Sequence, residues 1–296
     1  MQNTPLKLSK YRFTLEAIDP ITLPNYKGST FHGGFGHALM QISPTWYRYF
    51  FEPKNKQNGN NAALPKPYVI LPPLDNLEHY PKGHQFHLEL TLIGEATQHY
   101  SIAQAAIEYL GHHMGLGRNK AKYKIISIDR AIASQQNADS NQHSVYSDEI
   151  INTRIPTLNN EQITIHFPTR LRLKQNNRLS RQPPNFATVF ERIAGRIKTL
   201  SNAYGENAEG DTPHSLENYK TLKTAAQHIT IQQQNLKWQE WHRYSGTGKQ
   251  HMKFGGLTGD ITYQGDLKPF LPWLALGEWI HIGGKTSFGL GKYIIE

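Results

Sequence analysis

Gly-Leu-Gly followed by a basic residue occurs twice in this chain, each time where a helix-like segment gives way to a strand-like one. One copy is Gly115-Leu116-Gly117-Arg118 and the other is Gly289-Leu290-Gly291-Lys292. A second matched pair lies upstream of them at nearly the same offset: Thr91-Leu92-Ile93-Gly94-Glu95 and Thr262-Tyr263-Gln264-Gly265-Asp266. Self-similarity of this kind marks an internal duplication, so the chain should fold as two half-chains of like topology. Glycine lets the turn take φ > 0 and lets a ligand approach the backbone amides. The flanking Lys and Arg make an anion the natural ligand.

The hydrophobic periodicity gives both halves the same order. In the first, residues 11–18 alternate as a strand, and Ser29-Thr30 can cap a helix from Phe31 towards Tyr47. Strands at 68–71 and 85–93, a helix at 101–110 and a strand at 123–128 follow. In the second half, strands are expected at 163–173, 236–244, 257–263 and 288–295, with helices at 186–204 and from Pro269 to about Gly277. Residues 54–61, 131–141 and 205–212 are polar and aperiodic; the middle one is read as a linker or exposed loop. The expected fold class is α+β: two tandem ferredoxin-like, RRM-like βαββαβ domains, residues 1–140 and 141–296.

Bulk properties narrow the function. The formal charge is +9, with 15 His besides, which favours a polyanion, nucleic acid before an anionic membrane. No apolar run approaches the roughly 20 residues that span a bilayer. The first residues, Met1-Gln2-Asn3-Thr4-Pro5, lack the apolar core of a signal peptide. There is no cysteine, so disulfides and thiolate metal sites are excluded and a cytoplasmic location is expected.

Three segments carry candidate chemistry. The first is the glycine-rich run at 283–291. Its Gly-Lys-Thr is not a nucleotide P-loop, because Trp279 replaces the required glycine and a strand is expected to follow. Backbone amides between Gly284 and Gly289, with Lys285 and Lys292, could instead hold RNA phosphates. Gly283, Gly284, Lys285, Ser287, Gly289 and Gly291 are therefore candidate RNA-binding residues; the competing reading is glycines that serve turns only. The second segment is basic: Arg170, Arg172 and Lys174 alternate and share a strand face, followed by Arg178 and Arg181. Arg243, Lys249 and Lys253 lie in the next hairpin and join them as RNA-binding candidates. A solvated sheet edge protected by charge would look the same.

The third segment runs from Tyr26 to Leu39 and places Tyr26, Lys27, His32 and His37 in one glycine-rich stretch. RNA cleavage without a metal needs a base for the ribose 2′-hydroxyl, a charge or hydroxyl to steady the pentavalent phosphorane, and an acid for the leaving 5′-oxygen. Histidine suits the base role, and Lys or Tyr suits charge stabilisation. The competing reading is histidine packed on a helix. His112-His113 and His99 with Glu108 lack a tight ligand spacing such as H-E-x-x-H, so neither a metal site nor any other cofactor is expected.

Five motifs in order carry a resemblance: Tyr26-Lys27-Gly28-Ser29 through Phe35-Gly36-His37-Ala38-Leu39, Pro168-Thr169-Arg170-Leu171-Arg172, Trp241-His242-Arg243-Tyr244-Ser245, Gly265-Asp266-Leu267 through Leu276-Gly277-Glu278, and the glycine-rich run ending at Gly291. With them the chain resembles the CRISPR repeat-RNA-processing endoribonucleases of the RAMP superfamily. The resemblance implies binding of precursor crRNA and metal-independent transesterification within the repeat, leaving 2′,3′-cyclic phosphate and 5′-hydroxyl ends. It implies a histidine base in or beside the first helix, which His37 matches best and His32 next, with Tyr26 or Lys27 stabilising the transition state. Other CRISPR effector subunits are further candidate partners, and no membrane is. The alternative is a non-catalytic repeat-RNA-binding subunit of a CRISPR ribonucleoprotein; a small-molecule enzyme on the same fold is a third reading.

Overall fold

The computed structural model describes residues 6–54, 63–131, 144–175, 178–205, 216–245 and 250–296. The linker and the loops expected at 54–61 and 205–212 fall almost wholly outside these residues. Leu6–Tyr146 makes up most of one compact unit, and Ser147–Asn202 with Asn207–Glu296 makes up most of the other.

In the N-terminal unit, β1 (Lys7–Ala17), β2 (Tyr68–Leu71), β3 (Gln85–Ile93) and β4 (Tyr123–Ala131) form an antiparallel sheet in the order β2-β3-β1-β4. Alternation in β1 buries Tyr11, Phe13, Leu15 and Ala17 on one face. Phe13 sits opposite Leu88 on β3 and Ile128 on β4, which fixes the register of all three strands. Helices α1 (Gly28–Ile42), α2 (Pro44–Phe51) and α3 (Tyr100–Tyr109) accompany this sheet. The single helix expected from Phe31 to Tyr47 breaks at Ser43, whose backbone is extended (φ −165°, ψ 120°). Pro44 imposes the break, since the residue before a proline is driven out of the helical region; Pro44 then starts α2.

The C-terminal unit repeats the pattern. Its sheet runs β6 (Thr230–Gln239), β9 (Gly256–Gln264), β5 (Gln162–Leu171), β10 (Ile294–Ile295), again antiparallel. A separate hairpin, β7 (His242–Ser245) with β8 (Gln250–Lys253), projects between β6 and β9. The strand expected at 236–244 is thus two strands with different partners. Helices are α4 (Ser147–Arg154), α5 (Phe186–Tyr204), α6 (Leu216–Ala225) and α7 (Leu271–Ile280). In both sheets the first long strand is central and the last lies at its side, which is the ferredoxin-like order expected from the duplication. No helix among the described residues is long and apolar enough to cross a membrane.

Candidate active site and nucleic-acid interface

The four candidates near α1 part company once the helix is formed. With 3.6 residues per turn, Phe31, Phe35, Ala38 and Leu39 share one stripe, and all four are buried. His32 borders that stripe. It is 7% exposed, with its ring centroid 4.9 Å from Phe51 and 6.0 Å from Tyr68. Lys27 is completely buried. Its ammonium donates to Asn25 O at 3.2 Å and Asp75 O at 2.9 Å, and pairs with the Asp75 carboxylate at 3.3 Å. Tyr26 is also buried. His37 alone of the four lies on the opposite side of α1 and is exposed.

His37 opens into a cleft of about 390 Å³ lined also by Thr30, Gly34, His113, Met114, Lys120 and the backbone of the first Gly-Leu-Gly turn. Glycines create this proximity. A Cβ on Gly34 would stand 2.8 Å from both methyl carbons of Leu110, and one on Gly111 would stand 2.5 Å from Tyr123 O. The glycines of α1 admit close packing: Gly34 receives Leu110 and Gly36 receives Phe51. After α3 the chain makes a π-helical turn, Leu110–Met114. Gly115 (φ 76°) and Gly117 (φ 71°) then lead into a tight loop closed by paired Leu116 and Ala121 amides, at 2.8 and 3.0 Å. Side chains at Gly115 and Gly117 would overlap Lys120 O and Thr22 O. These glycines serve the turn, and the turn presents His113 and Lys120. Lys122 holds it from behind, donating to His113 O at 2.6 Å. A second cleft of about 790 Å³, with Arg118 and Asn119 on its wall, shares Thr30 and Gly117 with the first.

The basic candidates gather in the C-terminal unit. Arg172, Lys174, Gly283, Gly284 and Lys285 line one cavity of about 600 Å³, together with Arg192, Arg196 and Thr199 of α5. Glu191 is the acidic residue on its wall. Burial pushes Arg196 down to about 10, so it stays charged at neutral pH; its Nε donates to Ile280 O at 2.8 Å. Burial also lowers Arg172, against the opposing pull of Glu240, and its guanidinium donates to Gly255 O. Aromatic rings lie beside these charges. Arg172 and Lys285 lie 5.6 and 5.9 Å from the Phe254 ring, and Arg170 lies 6.0 Å from Trp241. Arg181 lies over Trp238 at 4.8 Å and pairs with Glu240 at 3.6 Å. Arg178 is exposed, on a two-residue ladder against Lys174–Gln175. Arg243 and Lys253 lie on the projecting hairpin, opposite Met252 and His242. Lys249 falls outside the described residues.

Several of the loop amides expected to cradle phosphate are spent inside the fold. Gly284 N donates to Arg172 O at 2.9 Å, Phe288 N to Lys285 O at 3.0 Å, and Gly289 N to Thr286 O at 2.8 Å. Gly289 and Gly291 are buried, and Gly291 N bonds Arg170 O at 3.1 Å. The strand expected from Phe288 is instead a 3₁₀ turn, Thr286–Phe288, containing Ser287, and pairing begins only at Ile294. Lys292 donates to Glu278 O at 2.9 Å. The loop therefore presents Lys285 and an exposed Gly284, while Gly289 closes its 3₁₀ turn and Gly291 ties it to β5. Arg192 and Arg196 went unnoticed in the sequence. Their spacing of four on a helix whose other face is apolar was the available signal.

Residues 6–158 match the family model AF_1859_N, an N-terminal domain, and residues 163–293 match that of CRISPR-associated endoribonuclease Cas6. The chain thus belongs to the family of the AF_1859_N N-terminal domain and carries a Cas6-type domain over residues 163–293. The Cas6 family is one of CRISPR-associated endoribonucleases. An uncharacterized protein of Archaeoglobus fulgidus is 22% identical to it, over 93% of each chain. Cas6 of Thermus thermophilus has a TM-score of 0.62 at 15% identity, covering 98% of this chain and 99% of that one. A partial Cas6-RT-Cas1–Cas2 complex gives a TM-score of 0.66 at 16% identity, covering 99% of this chain. This chain spans 46% of that longer chain. At such identities the likeness is one of fold.

Proposed function

We propose that this Cas6-type chain binds CRISPR precursor RNA and cleaves it within the repeat by metal-independent transesterification, in the cytoplasm. The observation that carries the reading is His37, exposed on the far side of α1 and facing a cleft beside His113 and Lys120. A neutral imidazole there takes the proton of the ribose 2′-hydroxyl. The 2′-oxygen then attacks the adjacent phosphorus. Lys27 has its ammonium committed to Asp75, so the cation that meets the developing phosphorane charge is Lys120. Products are a 2′,3′-cyclic phosphate and a 5′-hydroxyl. This chemistry needs only groups that the cleft already holds. His32, Tyr26 and Lys27 act through the packing that fixes α1.

RNA is held by phosphate contacts to Arg172, Lys174, Arg192 and Lys285, with the exposed Arg178 and the basic hairpin adding to them. Other CRISPR proteins are further partners, as the structural likeness to a Cas6-RT-Cas1–Cas2 complex suggests. The test is to incubate the protein with an RNA of its own locus's repeat in EDTA and map the product ends. Cleavage at one position with a cyclic phosphate supports the reading. Tight binding with intact RNA would make the chain a binding subunit, the alternative drawn from the sequence.

A further inference from the structure

The cleft holds a second imidazole that the reading above leaves unused. His113 is exposed at the end of the π-helical turn and lines the same cleft as His37. It is reached through the first Gly-Leu-Gly motif, the feature of the sequence with no function of its own so far. Three constraints hold His113 in place. Its ring lies 4.6 Å from that of Tyr109, tilted by 30°. Its carbonyl accepts from Lys122. Gly111, on the same turn, packs where no side chain fits against Tyr123. The duplicated turn offers an internal comparison. Ser287-Phe288 occupy the positions of His113-Met114 in the C-terminal copy, and Phe288 is buried there against Phe254 at 5.5 Å. The imidazole therefore belongs to one copy and is not a requirement of the turn.

We infer that His113 is the general acid of the cleavage reaction, acting across the cleft from His37. The inference rests on the proposed transesterification. In that step a bond forms between the 2′-oxygen and phosphorus, and the bond between phosphorus and the 5′-oxygen breaks. His37 removes the 2′-hydroxyl proton, and the His113 imidazolium supplies one to the departing 5′-oxygen. One proton is taken up and one released, so no co-reactant is needed. An alkoxide is a poor leaving group, and its protonation in the transition state is where a positioned acid contributes. The charged and titratable groups around His113 are His37 on α1, Tyr109 on α3, His112 beside it, and Lys120 and Lys122 beyond the turn.

The test compares two RNA substrates with the full-length chain: the repeat oligonucleotide, and the same oligonucleotide with sulfur replacing the 5′-bridging oxygen at the cleavage site. A thiolate departs without protonation. His113→Ala should slow cleavage of the all-oxygen RNA by about 10²-fold or more, yet cleave the sulfur substrate at nearly the wild-type rate. His37→Ala should be slow on both. In the pH profile, His113→Ala should lose the alkaline limb and keep the acid one. The inference is overturned if His113→Ala stays within about threefold of wild type on all-oxygen RNA, or loses equally on both substrates. Full activity of His37→Ala on both would remove the base from the proposed function while the sulfur comparison still decides His113. A wild-type protein that cleaves neither substrate overturns both.

Discussion

In the N-terminal unit the Gly-Leu-Gly turn closes on Lys120, whose backbone is left-handed (φ 50°), and exposes a lysine and a histidine beside His37. In the C-terminal unit the counterpart turn follows Lys285, also left-handed (φ 66°), whose ammonium lies near Phe254 and Phe288 beside Arg172, Arg192 and Arg196. In each, the second glycine packs where a side chain would overlap a carbonyl, Thr22 O in one and Ile282 O in the other. What differs is the neighbouring helix. Glycine-rich α1 allows a close approach and offers an imidazole, whereas α5 offers two guanidinium groups to the cavity. On the proposed function, a duplicated scaffold carries chemistry in one copy and anion binding in the other.

The comparison yields ordered tests. The largest effect belongs to His37→Ala, which should lower the single-turnover cleavage rate by about 10²- to 10⁴-fold with RNA affinity unchanged. Next is Gly291→Ala. Its φ of 70° and the Ile282 carbonyl leave no room for a Cβ, so thermal or urea unfolding should show a loss of about 3 kcal/mol or more. Lys27→Met should come third. It leaves Asp75 without its buried ammonium and should cost roughly 2–3 kcal/mol of stability, while the cleavage rate of the folded protein stays within a few-fold of wild type. A large rate loss at full stability would return Lys27 to the active site. Lys285→Ala should weaken RNA binding and reduce the slope of log affinity against log salt by about 1. The smallest effect has the opposite sign. Gly33 has open space where a Cβ would go, so Gly33→Ala should stabilise α1 by about 0.5–1 kcal/mol, unlike Gly34→Ala.

Topology was legible because period-2 alternation and the repeated glycine turns are properties of the chain itself. Helix α5 was expected at 186–204 and spans Phe186–Tyr204, since its apolar spacing is strong. Helices α4 and α6 were not foreseen. Their sequences, SDEIINTR and LENYKTLKTA, are polar and short, and depend on tertiary contacts more than on propensity. At the candidate active site the sequence put four residues in one stretch, and nearness along the chain misled. A helix separates residues five apart by more than a turn, so His32 and His37 face different surroundings. The helical pattern of Phe31, Phe35 and Leu39 contained that answer. Lys120 and His113 could not be joined to His37 from the sequence, because Gly34 packing on Leu110 brings them together across more than seventy residues of chain.

The most direct test of this division of labour measures single-turnover rate at saturating protein and equilibrium affinity separately, on the same repeat RNA, for His37→Ala and for Lys174→Ala/Lys285→Ala. The account predicts that the first variant loses rate and keeps affinity, and that the second loses affinity and keeps its saturated rate. Loss of rate in the lysine variant at saturation, or loss of affinity alone in His37→Ala, would contradict it.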